Sequence, residues 1–419
     1  MSAIPGLPIL EALRAALAFA PTGAPSGNLS IGRGNFEGRP VHVALVENRG
    51  ASGALGALEC QRLAALFKVV AAERSSLVLY LDSAGAKVSE GLKALGAFRS
   101  LYRAGLECAF SGAPLAVVLG KNCYGGASML AHLAPQRLFS EVTQLAMSGP
   151  SILASAAGVN VFDEAFRAMA EASLSPAARA KASSANAIWK AGSDITPWLN
   201  EALAQRGGVV SSLRFRHEAL AMRLDKRLPE PALEPLRRRD LEKIYAEGYD
   251  ARESQGFFIG RGTRNGAEED FLGIAGNAPL GSARAWRLAE SAWRLADSGA
   301  RHVEVFLDCA AHAARLEDEK IVLTEYIVDT AYALMALAAK GVEVGLTIVG
   351  KAGGGVYVAL AAPAARVASV FGADIQVLPG AAVAAILGES SEETPAFAAY
   401  RAAGVADEEL KLGFVPGAK

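Results

Sequence analysis

Two stretches of this chain run through the same succession of strand, small-residue loop, helix, strand and glycine turn, and that repetition narrows the folds open to it. In the first, the apolar run at 77–81 ends at Asp82 and enters Ser83-Ala84-Gly85-Ala86. A helix from about Ser89 to Phe110 follows, with Leu92, Leu95, Phe98 and Leu101 on one face. The strand at 115–119 then leads through Gly120 to Tyr124, and Gly125-Gly126 open another helix. In the second, the run at 303–307 ends at Asp308, and a helix rich in Ile, Tyr and Leu covers roughly 319–339. The strand at 342–349 leads to Gly350-Lys351-Ala352 and then Gly353-Gly354-Gly355. Asp82 precedes Gly125 by 43 residues and Asp308 precedes Gly353 by 45, while Gly126–Pro135 and Gly354–Pro363 are both separated by nine. Any α/β protein alternates strands and helices, but agreement at four landmarks predicts duplication, with Asp82 over Asp308 and Gly125 over Gly353.

Composition removes several classes of function. The 419 residues hold 42 Lys+Arg against 43 Asp+Glu, a net charge of −1, with no basic block to neutralise a run of phosphates. Hydrophobic residues make up 52% of the chain, which excludes disorder, yet no stretch of about 18 apolar residues runs uninterrupted, so no membrane span is expected. The length suits two to three domains. Residues 9–20 carry Glu11 and Arg14 at helical spacing and read as an amphipathic helix, not a signal peptide. Cys60, Cys108, Cys123 and Cys309 form no CxxC pair, which fits a reducing, cytoplasmic setting. Residues 211–250 concentrate Arg and Lys with Pro229, Pro231 and Pro235. They read as a charged helical linker, or as a surface for an acidic partner or phosphate.

A glycine pair at a strand-to-helix turn lets backbone approach closely and presents N–H groups at the positive end of a helix. Such a turn can hold an oxygen that becomes negative in a transition state. Gly85, Gly125-Gly126, the loop after Asp308 and Gly353-Gly354-Gly355 are the candidates; tight helix–sheet packing explains each glycine pair about as well. No nucleophile triad stands out: Ser83 lies in Asp-Ser-Ala-Gly and Ser148 in Met-Ser-Gly-Pro. HExxH and the P-loop pattern are missing, and metal chemistry has no support. His42, on a strand, reads as structural, while His132 and His312 follow the glycine turn and the Asp308 loop and stay open between structural and catalytic roles.

These motifs resemble the carboxyltransferase branch of the crotonase superfamily, and more closely the beta and gamma subunits of biotin-independent malonate decarboxylase joined in one chain. The first half resembles the beta subunit through Gly32-Arg33-Gly34-Asn35-Phe36-Glu37-Gly38-Arg39-Pro40-Val41 and Asp82-Ser83-Ala84-Gly85-Ala86-Lys87-Val88-Ser89-Glu90. It also does so through Asn122-Cys123-Tyr124-Gly125-Gly126 and Leu145-Ala146-Met147-Ser148-Gly149-Pro150. The second half is similar to the gamma subunit through Gly350-Lys351-Ala352-Gly353-Gly354-Gly355 and Ala362-Pro363-Ala364-Ala365-Arg366-Val367. Members of the family carry Gly-Gly at Ala84-Gly85, Arg at Lys87 and Ser-Gly at Gly354-Gly355.

The resemblance implies an α/β fold of two crotonase-like domains, each a spiral of β-β-α turns, packed as a pseudo-dimer. Their expected bounds are 1–210 and 251–419, with the charged helical linker at 211–250 between them. It implies decarboxylation of a malonyl-type thioester through an enolate held in backbone oxyanion holes. Alternatives are the carboxyltransferase component of a biotin-dependent acyl-CoA carboxylase and a non-catalytic scaffold in an acyl-transfer complex. Gly85, Gly125, Gly126, Gly354 and Gly355 would act catalytically. Ser83, Lys87, Tyr124, Ser148, Gly149, His312 and Lys351 would bind substrate. No covalent cofactor and no metal is implied; the substrate would be an acyl thioester of coenzyme A or of a phosphopantetheine-type acyl carrier protein. An acyltransferase subunit is a possible partner, nucleic acid and membrane are not, and a homodimer or larger even-numbered homo-oligomer is expected. Tyr326, Ile327, Val328, Ala331, Tyr332, Leu334 and Leu337 nearly encircle the 319–339 helix, which predicts its burial.

Overall fold

Period-two alternation from Leu29 onward becomes a β-hairpin. Strands Leu29–Phe36 and Arg39–Val46 pair antiparallel across Glu37-Gly38. Both turn residues have positive φ, 50° and 81°, the conformation of a tight type I′ turn. Ala20–Pro21 adds antiparallel to the outer edge of Leu29–Phe36, and on the other side the sheet is parallel: Arg39–Val46 pairs with Leu77–Ser83, then Leu115–Tyr124, Gln136–Phe139 and Asn186–Ile188 follow in order. Gln144–Ala146 pairs with the far end of Leu115–Tyr124. Leu77–Ser83 is buried along its whole length, as the continuous apolar run of a central parallel strand requires. This computed structural model describes residues 8–159, 163–205, 210–224, 232–380, 383 and 394–412.

The second sheet repeats the plan. Phe257–Arg264 and Ala267–Ile274 form a hairpin across Asn265-Gly266, with φ of 54° and 74°. His302–Cys309, Glu343–Gly353, Arg366–Val370 and Glu408–Leu410 then follow in parallel, with Asp374–Gln376 beside the end of Glu343–Gly353. Asp82 and Asp308 are equivalent: Asp82 Oδ1 accepts the N–H of Asn122 at 3.0 Å and Asp308 Oδ1 that of Lys351 at 2.9 Å. The glycine register differs from expectation. Tyr124 pairs with Ala146 as Gly353 pairs with Gln376, and Gly125 and Gly354 share φ of 53° and 52°. Gly125 therefore corresponds to Gly354, not Gly353. The stretch from Asp308 to its glycine turn is three residues longer than that from Asp82 to its own, 46 against 43, and a run of three glycines hides the difference from counting.

The chain forms two compact units, each discontinuous in sequence. The first comprises 1–90, 100–212 and 314–325; the second comprises 91–99, 213–313 and 326–419. A change of unit at 212/213 lies beside the expected boundary, but the two exchanged segments were not anticipated. In the first unit, Ile9, Leu10 and Leu13 of the helix Pro8–Ala16 pack with Val43, Leu45, Val78 and Val118. In the second, the stretch expected to be a solvated linker contributes structure. Its helix Arg239–Ile244 brings Leu241 and Ile244, with Tyr245, into a core with Phe258, Phe271 and Phe306. Tyr245 stacks on Phe271 with ring centroids 5.1 Å apart. Residues 225–231 of that stretch lie outside the described residues.

The expected helix over 319–339 is broken. A short helix Leu316–Lys320 precedes Val322, whose φ is 65°, and the long helix is Leu323–Ala339. A buried β-branched residue in the left-handed region is an outlier that its surroundings must hold in place. The residues predicted to encircle the long helix are buried, from Tyr326 to Leu337. No helix among the described residues is long and apolar enough to cross a membrane.

Candidate active site

In the first unit, the loop after Leu77–Ser83 meets the turn after Leu115–Tyr124, backbone against backbone. Gly85 has φ of 93°, and a β-carbon there would lie 2.8 Å from Gly126 N and 3.0 Å from Tyr124 O. Only glycine fits both the conformation and the approach. Not every glycine amide is available, however. The Gly85 N–H donates to Ser83 Oγ at 3.0 Å, and the Gly125 N–H donates to Met147 O at 3.2 Å. Gly126 is the first residue of the helix Gly126–Ala131, where the helix itself supplies no acceptor. Of the three glycines expected to act here, Gly85 and Gly125 have their N–H groups engaged by Ser83 and Met147, while Gly126 stands first in its helix.

Residues 314–325 lie beneath this turn within the same unit. Glu319 is fully buried, and its Oε1 accepts the Ser148 N–H at 2.7 Å while Oε2 accepts that of Met147 at 3.3 Å. Arg179, also fully buried, reaches Glu319 Oε2 at 3.5 Å through Nη2 and donates to the Glu319 carbonyl through Nη1. Burial raises the Glu319 carboxyl to about 7, against the lowering pull of Arg179 and the two amides. Ser128 Oγ donates to Gly125 O at 2.7 Å and lies 3.1 Å from Thr324 Oγ1. Arg137 Nη2 donates to Glu325 Oε1 at 3.1 Å, both side chains being buried. Sequence reasoning missed Glu319, Thr324, Glu325 and Arg179. Its one available signal was the acidic run Glu317-Asp318-Glu319 interrupting an apolar helix pattern.

The structure gathers Ser83, Gly85, Tyr124, Gly125, Gly126, Ser148 and Gly149 in this unit. The Tyr124 hydroxyl donates to Gln144, and a β-carbon at Gly149 would touch the Tyr124 ring at 3.4 Å. Burial pushes the Tyr124 phenol up. Lys87 instead pairs with Glu90 at 3.2 Å. His132 is fully buried with Nδ1 2.7 Å from Ser128 O, a helix-packing position. His42 sits between Arg33 and Glu73, as a structural histidine would.

The remaining expected residues belong to the second unit. His312 bridges to Leu280 as Ala86 bridges to Leu55. Lys351 has an exposed side chain and gives its N–H to Asp308. Gly354 opens the helix Gly354–Ala361, and Gly355 is buried in its first turn.

The transcarboxylase 12S hexamer structure covers 96% of this chain and 86% of its own at 17% identity and a TM-score of 0.38. A Pseudomonas malonate decarboxylase hetero-dimer covers 51% of this chain and 92% of its own, at 21% identity and a TM-score of 0.43. Among curated proteins, the methylmalonyl-CoA carboxyltransferase 12S subunit of Propionibacterium freudenreichii subsp. shermanii is 25% identical over 137 residues, 33% of this chain and 26% of that protein. The acetyl-coenzyme A carboxylase carboxyl transferase subunit beta 1 of Roseiflexus castenholzii is 30% identical over 139 residues, 33% of this chain and 44% of that one. The chain thus spans less than half the length of these curated relatives. Residues 10–170, which hold Gly85, Gly125, Gly126 and their supporting loops, match the carboxyl transferase domain.

Proposed function

We propose that this chain decarboxylates a malonyl-type thioester, carried on coenzyme A or on a phosphopantetheine-bearing protein. The bond between the α-carbon and the carboxylate breaks, CO₂ leaves, and the electron pair moves to the thioester oxygen as an enolate. A proton from water then returns to the α-carbon, giving the acetyl thioester. The observation that carries this reading is the approach of Gly85 to Gly126, within a stretch matching the carboxyl transferase domain. A fixed N–H aimed at the developing enolate oxygen lowers the barrier, and losing one such donor typically slows turnover by about 10²–10³.

A second reading has its own support. The curated relatives named above are carboxyltransferases, which favours transfer of the carboxyl group between a biotin on another protein and an acyl-CoA. Both reactions pass through the same enolate. Incubating the purified chain with malonyl-CoA and with a malonyl-loaded carrier, with and without biotin, separates them by where the labelled carboxyl carbon goes. Release as CO₂ without biotin supports decarboxylation; label retained on biotin supports transfer. Absence of both leaves a scaffold role. The working enzyme is proposed to be an even-numbered homo-oligomer, which light scattering at micromolar concentration tests, and a fully active monomer would refute it.

A further inference from the structure

We propose that Glu319, clamped by Arg179, is a positioning residue that sets the Gly125–Gly126 turn by fixing the peptide between Met147 and Ser148. The inference rests on the proposed enolate chemistry for its kinetic arm only.

The linkage is a short relay. The Glu319 carboxylate takes the N–H groups of Met147 and Ser148, and the Met147 carbonyl takes the N–H of Gly125. Gly125 caps the helix Gly126–Ala131 with φ of 53° and ψ of −128°, a conformation with no side chain of its own to stabilise it. Holding the 147–148 backbone therefore holds the direction in which the Gly126 N–H points. Burying a carboxylate and a guanidinium together gains little stability over an apolar pair, so their presence calls for another reason. The backbone supplies one. Val322, three residues after Glu319, has φ of 65°, and its N–H donates to the Glu319 carbonyl. The turn at Val322 closes the Glu319 helix onto the backbone, and beyond it Thr324 Oγ1 lies 3.1 Å from the Ser128 hydroxyl, which donates to Gly125 O.

Glu319 accepts hydrogen bonds on both oxygens, so it is not the proton donor to the product. Its charge state nonetheless matters, since a protonated carboxyl is a weaker acceptor for the two amides than a carboxylate. The charged and titratable groups around it are Arg179 from the helix Pro176–Ala182, Asp318 beside it, itself paired with Arg315, and Tyr124. Glu325 acts on Arg179 from the start of the long helix.

The test is Glu319→Gln, which keeps shape and removes the charge. Amide hydrogen exchange is read by mass spectrometry on peptides covering 122–130 and 144–149, with 39–46 and 77–83 as internal controls. The expected result is a loss of protection of about tenfold at the two site segments, with the control strands unchanged. In wild type, after correction for intrinsic rates, the same two segments are expected to exchange faster at pH 6 than at pH 8. The wild-type arm stands if the variant does not fold. Unchanged protection in the variant, or equal loss in all four segments, overturns the proposal, as does a pH-independent wild type. Where the wild type is active, kcat is expected to drop by about 10–100-fold with KM within about threefold, and the acid limb of its pH–rate profile near neutrality to vanish in the variant. An inactive wild type with the exchange result intact overturns the enolate reading and leaves the relay standing.

Discussion

A β-carbon on Gly85 would stand 2.8 Å from the amide nitrogen of Gly126, two residues 41 positions apart whose backbones meet at the mouth of the first unit's sheet. Gly85→Ala is therefore expected to do two separable things. Forcing φ of 93° on alanine costs about 1–3 kcal/mol of stability, read as a lower urea midpoint. Crowding the Gly126 amide is expected to lower kcat by at least about 10², beyond anything the lost stability explains at 25 °C. Wild-type turnover in a folded Gly85→Ala protein would remove Gly126 from the mechanism.

His217 gives the second unit a pH-dependent clamp. It is held between Asp329 (2.6 Å) and Glu290 (2.9 Å) and stacks on Trp286 with centroids 5.0 Å apart. Burial alone would depress its charge, but hydrogen bonds to Asp329 and Glu290 win and raise it to about 9. A group whose folded value exceeds its unfolded value near 6.5 stabilises fully below that value, and the contribution is lost as pH rises through about 9. The expected size is about 3 kcal/mol at most. Thermal midpoints of wild type and His217→Gln should therefore differ most near pH 6 and converge toward pH 9.5. Parallel curves across that window would show that His217 is neutral in the fold.

Glu304 is fully buried and relies on Arg366 Nη2 at 2.7 Å and Thr347 Oγ1 at 2.6 Å. Arg366→Met removes the guanidinium and leaves that carboxylate, among the described residues, only His302 Nε2, at 3.4 Å, as a basic neighbour. The expected loss is about 3–5 kcal/mol in denaturant unfolding, and Arg366→Met with Glu304→Leu together should recover most of it. A single variant no less stable than wild type would show that Arg366 contributes nothing to holding Glu304.

The repeated plan, the aspartates that end corresponding strands and the glycine turns were legible because each is local. Residues 77–81 are a continuous apolar run, and Asp82 and Asp308 sit where such runs stop. Glu319 and Arg179 were not legible. They are 140 residues apart and meet only because a segment following the second unit's strand His302–Cys309 belongs to the first unit. The chain then turns at Val322 in a conformation its residue type disfavours, so no propensity rule points to a break there. The charged stretch at 211–250 misled for the opposite reason. Its Arg and Lys residues dominate the composition while Leu241, Ile244 and Tyr245 anchor it in an aromatic core.

One signal in the sequence was available and went unread: Ile31-Gly32-Arg33-Gly34 and Ile259-Gly260-Arg261-Gly262, each followed after two residues by a turn ending in glycine. In the structure these are the same hairpin twice. A β-carbon on Gly32 would overlap the carbonyl oxygen of Ala20, and one on Gly260 that of Asp250. At the turns, Gly38 and Gly266 have φ of 81° and 74° with nothing near a β-carbon. The two kinds of glycine are required for different reasons, and alanine should separate them. At Gly32 and Gly260 the obstacle is backbone, which cannot swing aside, so each substitution is expected to cost about 1–3 kcal/mol. At Gly38 and Gly266 only the left-handed conformation is disfavoured, at about 1 kcal/mol. Denaturant titrations of the four variants should therefore rank both strand glycines above both turn glycines, with the same order in each unit. An order that reverses between units would mean that the two hairpins keep their glycines for unrelated reasons, and the case for duplication would lose its best structural support.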